Sequence, residues 1–245
     1  MVSGAGTMDA GPQNFAERID ALKGDLVAQG RRVQAMVESS FNAVFARSAN
    51  AGHAAEQMDV EIDRVDVALE KAAVSLLTDA CKAGAALDAA QVRLILTIVK
   101  INNELERIAD IGVSIAGEAA LFQLCSAGQG CEPPATFRVL ANSTVGILRD
   151  SILALQRMDS KLAKVVLKSE SAIGAFKRSL VQDIQQQVRA QQMPLDLASA
   201  LHDTAMFSIH MADHCTNIAE QVMYVSTGTI MRHMQGTWEE VKLEG

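Results

Sequence analysis

Proline is scarce in this chain, with four in 245 residues at Pro12, Pro133, Pro134 and Pro194, so long stretches carry no helix breaker. Aromatic side chains are also few, at 4%, which is too little to fill the strands of a sandwich or barrel. There is no block of basic residues. Twenty-two Lys and Arg stand against 29 Asp and Glu, for a net charge of −7. That balance argues against nucleic acid or anionic lipid as the main partner. The four cysteines, Cys81, Cys125, Cys131 and Cys215, form no CxxC pair. Free thiols in a reducing compartment fit them better than a disulfide frame or a zinc ribbon. No wholly apolar run approaches the ~18 residues of a membrane span. Met1–Gln13 lacks the positive start and apolar segment of a secretion signal. The expectation is a soluble cytoplasmic protein. Neither a GxxxxGK[ST] phosphate loop nor a GxSxG elbow is present, and nothing points to covalent catalysis or to an enzyme.

What remains is 49% apolar residues, arranged with helical spacing. A first helix is expected over about Phe15–Ser48. A second, over about His53–Asp79, places Ile62, Val65, Leu69, Ala72 and Leu76 on one face. A turn at Cys81–Ala86, with Gly84, leads to a third helix that starts near Asp88, a suitable N-cap. Val92–Ile101 is β-branched enough for a buried strand, but the pattern runs on to Phe122, too long for one. Ser126–Pro134 packs two glycines and two prolines into a boundary. Helical pattern returns at Ala135–Asp159, Lys161–Gln191 and from Pro194 to Gly228. The fold class is therefore all-α: two tandem antiparallel three-helix bundles over 14–125 and 134–228, with a loosely attached tail at 229–245. A weak internal repeat supports the duplication. The segment Asp110–Ala116 falls on Asp213–Ala219 at an offset of 103, and Ile62-Asp63 falls on Ile173-Gly174 at 111.

On the second helix Asp59, Asp63, Asp66 and Glu70 are spaced 4, 3 and 4 and form one acidic stripe. Glu106 and Asp110 are four apart on the third. If the two faces meet, carboxylate oxygens converge, and a hard or borderline cation such as Mg²⁺, Mn²⁺, Fe or Zn²⁺ would offset their repulsion. From spacing alone, the simpler reading of the same acids is a solvated face paired with Arg64, Arg107 or Lys71. Arg93, Lys100 and Arg107 recur every seven residues, a stripe most simply solvated and balanced by Glu104. The eleven methionines read as core fillers.

The segment Asp59-Val-Glu-Ile-Asp63, followed some forty residues later by Glu106-Arg-Ile-Ala-Asp110, resembles the paired E/D-x-x-x-D motifs of PhoU-type phosphate-signalling proteins. Asp213-His-Cys-Thr-Asn217-Ile-Ala-Glu220, continuing to Tyr224, Thr227 and Gly228, is similar to the family's closing motif. The resemblance covers roughly residues 15–228. It implies a cytoplasmic regulator, commonly a homodimer, that links the ATPase of a phosphate ABC transporter to a phosphate-responsive sensor histidine kinase. Such a regulator represses the starvation response when phosphate is plentiful, and reaches the membrane only through its partners. It also implies multinuclear clusters of iron, zinc or other ions. Carried onto this chain, Asp59, Asp63, Glu106 and Asp110 form the first cluster, with Asp66 added from spacing alone.

The second half departs from that pattern. Glu170 is followed four residues on by Gly174, and Asp213 is preceded by Ile209, so two expected acids are missing. His210, Asp213 and His214 lie close together on one helix and could substitute, since His at i and i+4 suits zinc; both could also be ordinary polar residues. Two other classes stay open: a metal-free helical scaffold, and a carboxylate-bridged di-metal enzyme. The enzyme is disfavoured because no histidine here has Glu three residues before it.

Overall fold

In a computed structural model, residues 12–126, 132–234 and 237–242 are described. Seven helices follow one another: α1 (Pro12–Ala46), α2 (Ala49–Glu56), α3 (Asp59–Lys82), α4 (Ala89–Ser126), α5 (Ala135–Arg157), α6 (Ser160–Arg189) and α7 (Leu195–Thr227). The β-branched stretch Val92–Ile101 lies inside α4, as its unbroken periodicity requires. Asp88 caps α4 reciprocally. Its Oδ1 accepts from the Gln91 amide at 2.8 Å, and the Gln91 side chain accepts from the Asp88 amide at 3.0 Å. Gly84 ends the preceding turn at φ +61°.

Two local features differ from the sequence reading. The first half carries an extra short helix, because the chain breaks twice between Ala46 and Asp59. Arg47 turns left-handed at φ 51°, and Ser48 then caps α2 by accepting from the Ala51 amide at 3.2 Å. The segment after Gly228 is also more ordered in backbone than a loose tail: β1 (Thr229–Met234) pairs antiparallel with β2 (Thr237–Lys242).

Within each half the helices alternate in direction. Arg18 meets Asp79 and Gln29 meets Ile62 across α1 and α3, Asp66 meets Asn102 across α3 and α4, and Thr136 meets Asp183 across α5 and α6. The halves then pack like on like: α1 against α5, and α4 against α7. The α1–α5 seam is antiparallel, with Phe45 on Phe137 at a ring separation of 5.3 Å and Gly30 beneath Ile152. One continuous apolar core results, from Phe15 and Leu26 through Ile101 and Leu105 to Leu201 and Ile218. The tandem helical organisation stands, but the halves are joined by two helix–helix seams as well as by the loop. The glycine-rich part of that loop, expected as the flexible joint, falls at 127–131, outside the described residues, as does Cys131. α4 is long and apolar enough by composition to cross a membrane, yet it packs on α1, α2, α3 and α7 as the central helix. It approaches α2 closely, since a Cβ on Gly52 would stand 2.5 Å from the Ala116 carbonyl oxygen.

Candidate functional site

α3 and α6 lie at the periphery of the body, and each covers only helices of its own half. α3 buries Ile62, Leu69, Ala73, Leu76 and Ala80 toward α1 and α4. The spacing that turns this face inward places Asp59, Asp63, Asp66 and Glu70 along the α4 flank. Asp66 is fixed there: Asn102 Nδ2 donates to its Oδ1 at 2.6 Å and to its backbone oxygen at 3.1 Å. The two acidic faces do meet. Partial burial, then the charges of Asp63 and Asp110, push the Asp59 carboxyl above its usual range. Asp66 is raised by burial and by Glu70 and Asp63. Glu106 is raised by burial, Asp110, Asp66 and Asp63, with Arg107 acting against them. All five first-half residues singled out in the sequence, with Glu70 beside them, therefore share one electrostatic neighbourhood across the α3–α4 groove. Two oxygens there, Asp59 Oδ1 and Asn102 Oδ1, are buried without a hydrogen-bond partner. As the side chains stand, no group of three or more His, Cys, Asp or Glu among the described residues is close enough to hold a metal ion. The acids converge without closing into a ligand cage.

The second half is built differently. His214 reaches across to the first half, while its charge and that of His210 both act on Asp213. Its Nδ1 meets Glu104 Oε2 at 2.7 Å across the α4–α7 seam, and Asn217 Nδ2 donates to the same oxygen at 2.9 Å. Burial would raise Glu104, but these hydrogen bonds and the charges of His214 and Arg107 hold it below the usual carboxylate range. Glu104 is therefore no surface counter-ion for Lys100. It is the anchor of the D-H-x-x-N motif on the opposite half, a role the sequence signals only by the 200° that separates it from Glu106 on the helix. Asp213, raised by burial and lowered by His210 and His214, feels mainly its own helix. His210 is exposed and Glu170 half-buried on α6. The missing acid at Gly174 has a counterpart in space, since a Cβ there would be 3.5 Å from Arg178 Nη1. A guanidinium borders the position where the first half has a carboxylate.

Arg93 also departs from the solvated stripe. Its guanidinium lies 5.2 Å from the Tyr224 ring centroid and 3.2 Å from where a Gly228 Cβ would be, at the C-terminus of α7. The closing-motif residues Tyr224 and Gly228 thus hold the start of α4. Cys215 is fully buried and its thiol is pushed up to about 12, mainly by desolvation, so it is inert at neutral pH. Cys81 is exposed and Cys125 half-buried.

These features define a class: a duplicated protein of long helices, packed like helix on like helix, with an open carboxylate groove in its first half. The chain belongs to the PhoU domain family, which matches it twice, over residues 26–119 and 137–222. Among its relatives is a phosphate-specific transport system accessory protein PhoU homolog of Pseudomonas putida. It is 27% identical over 226 residues, covering 91% of this chain and 84% of the relative. The phosphate-specific transport system accessory protein PhoU of Escherichia coli K12 is 21% identical over 91% of this chain and 89% of its own length. In fold, the crystal structure of PhoU from Pseudomonas aeruginosa matches with a TM-score of 0.79 at 21% identity, over 88% of this chain and all of that one. The phosphate transport system regulatory protein PhoU from Streptococcus pneumoniae matches at 0.78 and 17% identity, over 88% and 98%.

Proposed function

We propose that this chain is a cytoplasmic accessory regulator of phosphate uptake. In this reading it is a non-enzymatic adaptor between the ATPase of a phosphate ABC transporter and a sensor histidine kinase, repressing the starvation response when phosphate is abundant. The names of its relatives and its membership of the family support the transport-accessory role. The cation-binding part of the proposal is carried by one observation, the convergence of Asp59, Asp63, Asp66, Glu106 and Asp110 across the α3–α4 groove with an orphaned buried oxygen on Asp59. All of these are oxygen donors, and their mutual repulsion is what a divalent or trivalent cation relieves. Iron, zinc, manganese or magnesium would be held by these five residues, and the number of carboxylates suits more than one ion. The chemistry a bound cation would supply there is neutralisation of the facing carboxylates of α3 and α4. The second half is read as structural, because Glu104 engages His214 and Arg178 borders Gly174, where an acid of the pattern is missing. A homodimer, as in the family resemblance, is part of the proposal.

Deletion of the gene tests the regulatory reading. Alkaline phosphatase or an equivalent starvation marker should rise in phosphate-rich medium and return to baseline on complementation. Unchanged reporter output in a clean deletion would place the metal-free scaffold reading ahead.

A further inference from the structure

Asn102 belongs to the α4 wall of the carboxylate groove. It precedes Glu106 and Asp110 at intervals of four, so the three share one helical stripe. Its contact with Asp66 sets the register of the antiparallel α3–α4 pair, with Asp63 then opposite Glu106 and Asp59 opposite Asp110. Unlike those two α4 acids, Asn102 is only 1% exposed. Its Nδ2 donates to Asp66 Oδ1 at 2.6 Å and to the Asp66 backbone oxygen at 3.1 Å. Two acceptors on that side fix which end of the amide is which, because the flipped group would set oxygen against two oxygens. Oδ1 is therefore the free end, buried and without a hydrogen-bond partner. It shares one small planar group with Nδ2, which keeps it within about 5 Å of the Asp66 carboxylate.

Leaving such an oxygen unpaired costs about 1–3 kcal/mol, and a leucine on the same stripe would pack without that cost. Of the four buried side-chain oxygens without a partner among the described residues, two, Asn102 Oδ1 and Asp59 Oδ1, lie in this groove. They stand at its two ends, Asp59 by Asp110 and Asn102 by Asp66. The carboxylates between them do not close a ligand cage. What they lack is a donor that adds oxygen without adding charge, since each further acid would increase the repulsion among those already there. The amide carbonyl of Asn is such a donor for hard cations. We infer that Asn102 is a further ligand of the groove: its Oδ1 completes the oxygen set for a cation at the Asp66–Glu106 end, while its Nδ2 holds Asp66 in place. This role rests on the cation reading of the groove and deepens it by adding a neutral donor.

The full chain, stripped with chelator and dialysed, is titrated with Mn²⁺, and the free ion is read by electron paramagnetic resonance. Asn102→Leu, of the same branched shape, should keep the helical circular dichroism and bind Mn²⁺ at least about tenfold more weakly than the wild type. That loss would also follow if Asn102 merely braced Asp66. Asn102→Cys separates the two roles, because a thiolate in a ligand position favours soft metals. With Cd²⁺ it should show an ultraviolet thiolate-to-metal charge-transfer band beyond that of the wild type, whose own four cysteines are the control. If Asn102→Leu loses its fold, the smaller Asn102→Cys decides alone by the presence or absence of the added band. An unchanged Mn²⁺ affinity in a folded Asn102→Leu overturns the inference and leaves the cation reading intact. So does weaker binding by Asn102→Leu with no added band in Asn102→Cys, which would leave Asn102 only a brace. A wild type that takes up neither Mn²⁺ nor Cd²⁺ in the groove, with Asp63→Asn no different, refutes the cation reading and the role of Asn102 with it.

Discussion

Replacing Asp63 with Asn should change the sign of its effect on stability according to whether a cation is present. Asp63 is exposed and lies four residues from Asp59 and three from Asp66, and its charge is among those that raise Asp59, Asp66 and Glu106. Like charges at these helical spacings cost about 0.2–0.5 kcal/mol per pair. In chelator, removing one charge from two such pairs and from the cross-helix repulsion should therefore stabilise the protein by about 0.5–1 kcal/mol. For a chain of this size that is roughly 1–4 °C in Tm. With a bound cation at about one hundred times its Kd, mass action adds about 2.7 kcal/mol to the wild type, roughly 5–10 °C. Loss of an oxygen ligand should remove most of that increment, so Asp63→Asn then melts below the wild type. Differential scanning calorimetry with and without chelator, together with elemental analysis of both proteins, reads the crossover. A wild-type Tm indifferent to Fe, Zn²⁺, Mn²⁺ and Mg²⁺ would refute the cation site. A variant less stable than wild type in chelator would refute the repulsion on which it rests. Asp213→Ala should lose far less metal than Asp63→Asn, since Arg178 borders Gly174 on the second half.

Glu104→Gln should weaken the α4–α7 seam by about 1–3 kcal/mol at neutral pH, the range for a charge-assisted hydrogen bond losing one partner. Because the Glu104 pKa is lowered, its contribution is present above the ordinary carboxylate range and is lost as pH falls through the lowered value. Asp59, Asp66 and Glu106 are raised and act oppositely: their contribution is full below the ordinary carboxylate range and is lost as pH rises through their raised values. In chelator, Glu104→Gln should therefore flatten the acid limb of a stability–pH curve measured by urea unfolding, whereas Asp59→Asn should flatten the fall on its higher-pH side. A Gly pair separates packing from propensity. Gly52→Ala, whose Cβ would meet the Ala116 carbonyl at 2.5 Å, should cost about 1–3 kcal/mol by overpacking. Gly24→Ala, with nothing within 4 Å, should stabilise by about 0.5–1 kcal/mol.

The long helices were legible because their signal is local. Period, caps and the scarcity of proline belong to the sequence itself, and Asp88 and Gly84 perform at the ends of α3 and α4 as their chemistry requires. The break that makes α2 was not legible, since it rests on Arg47, no usual left-handed residue, taking φ 51° just before the Ser48 cap. The acidic groove was half legible. Spacing placed Asp59, Asp63 and Asp66 on one stripe and Glu106 and Asp110 on another, but no one-dimensional pattern says that two stripes face each other. That followed from α3 folding antiparallel onto α4 with Asp66 on Asn102. The second half shows the limit most clearly. A helical wheel groups His210, Asp213 and His214, but it gives no sign that His214 also meets Glu104, more than a hundred residues away, because the like-on-like packing of α4 and α7 brings a half-buried carboxylate to it. By itself the sequence determined which residues share a helix face. Which faces meet was decided by the tertiary structure, because burying two long apolar helices against each other outweighs the local preference of any one polar side chain.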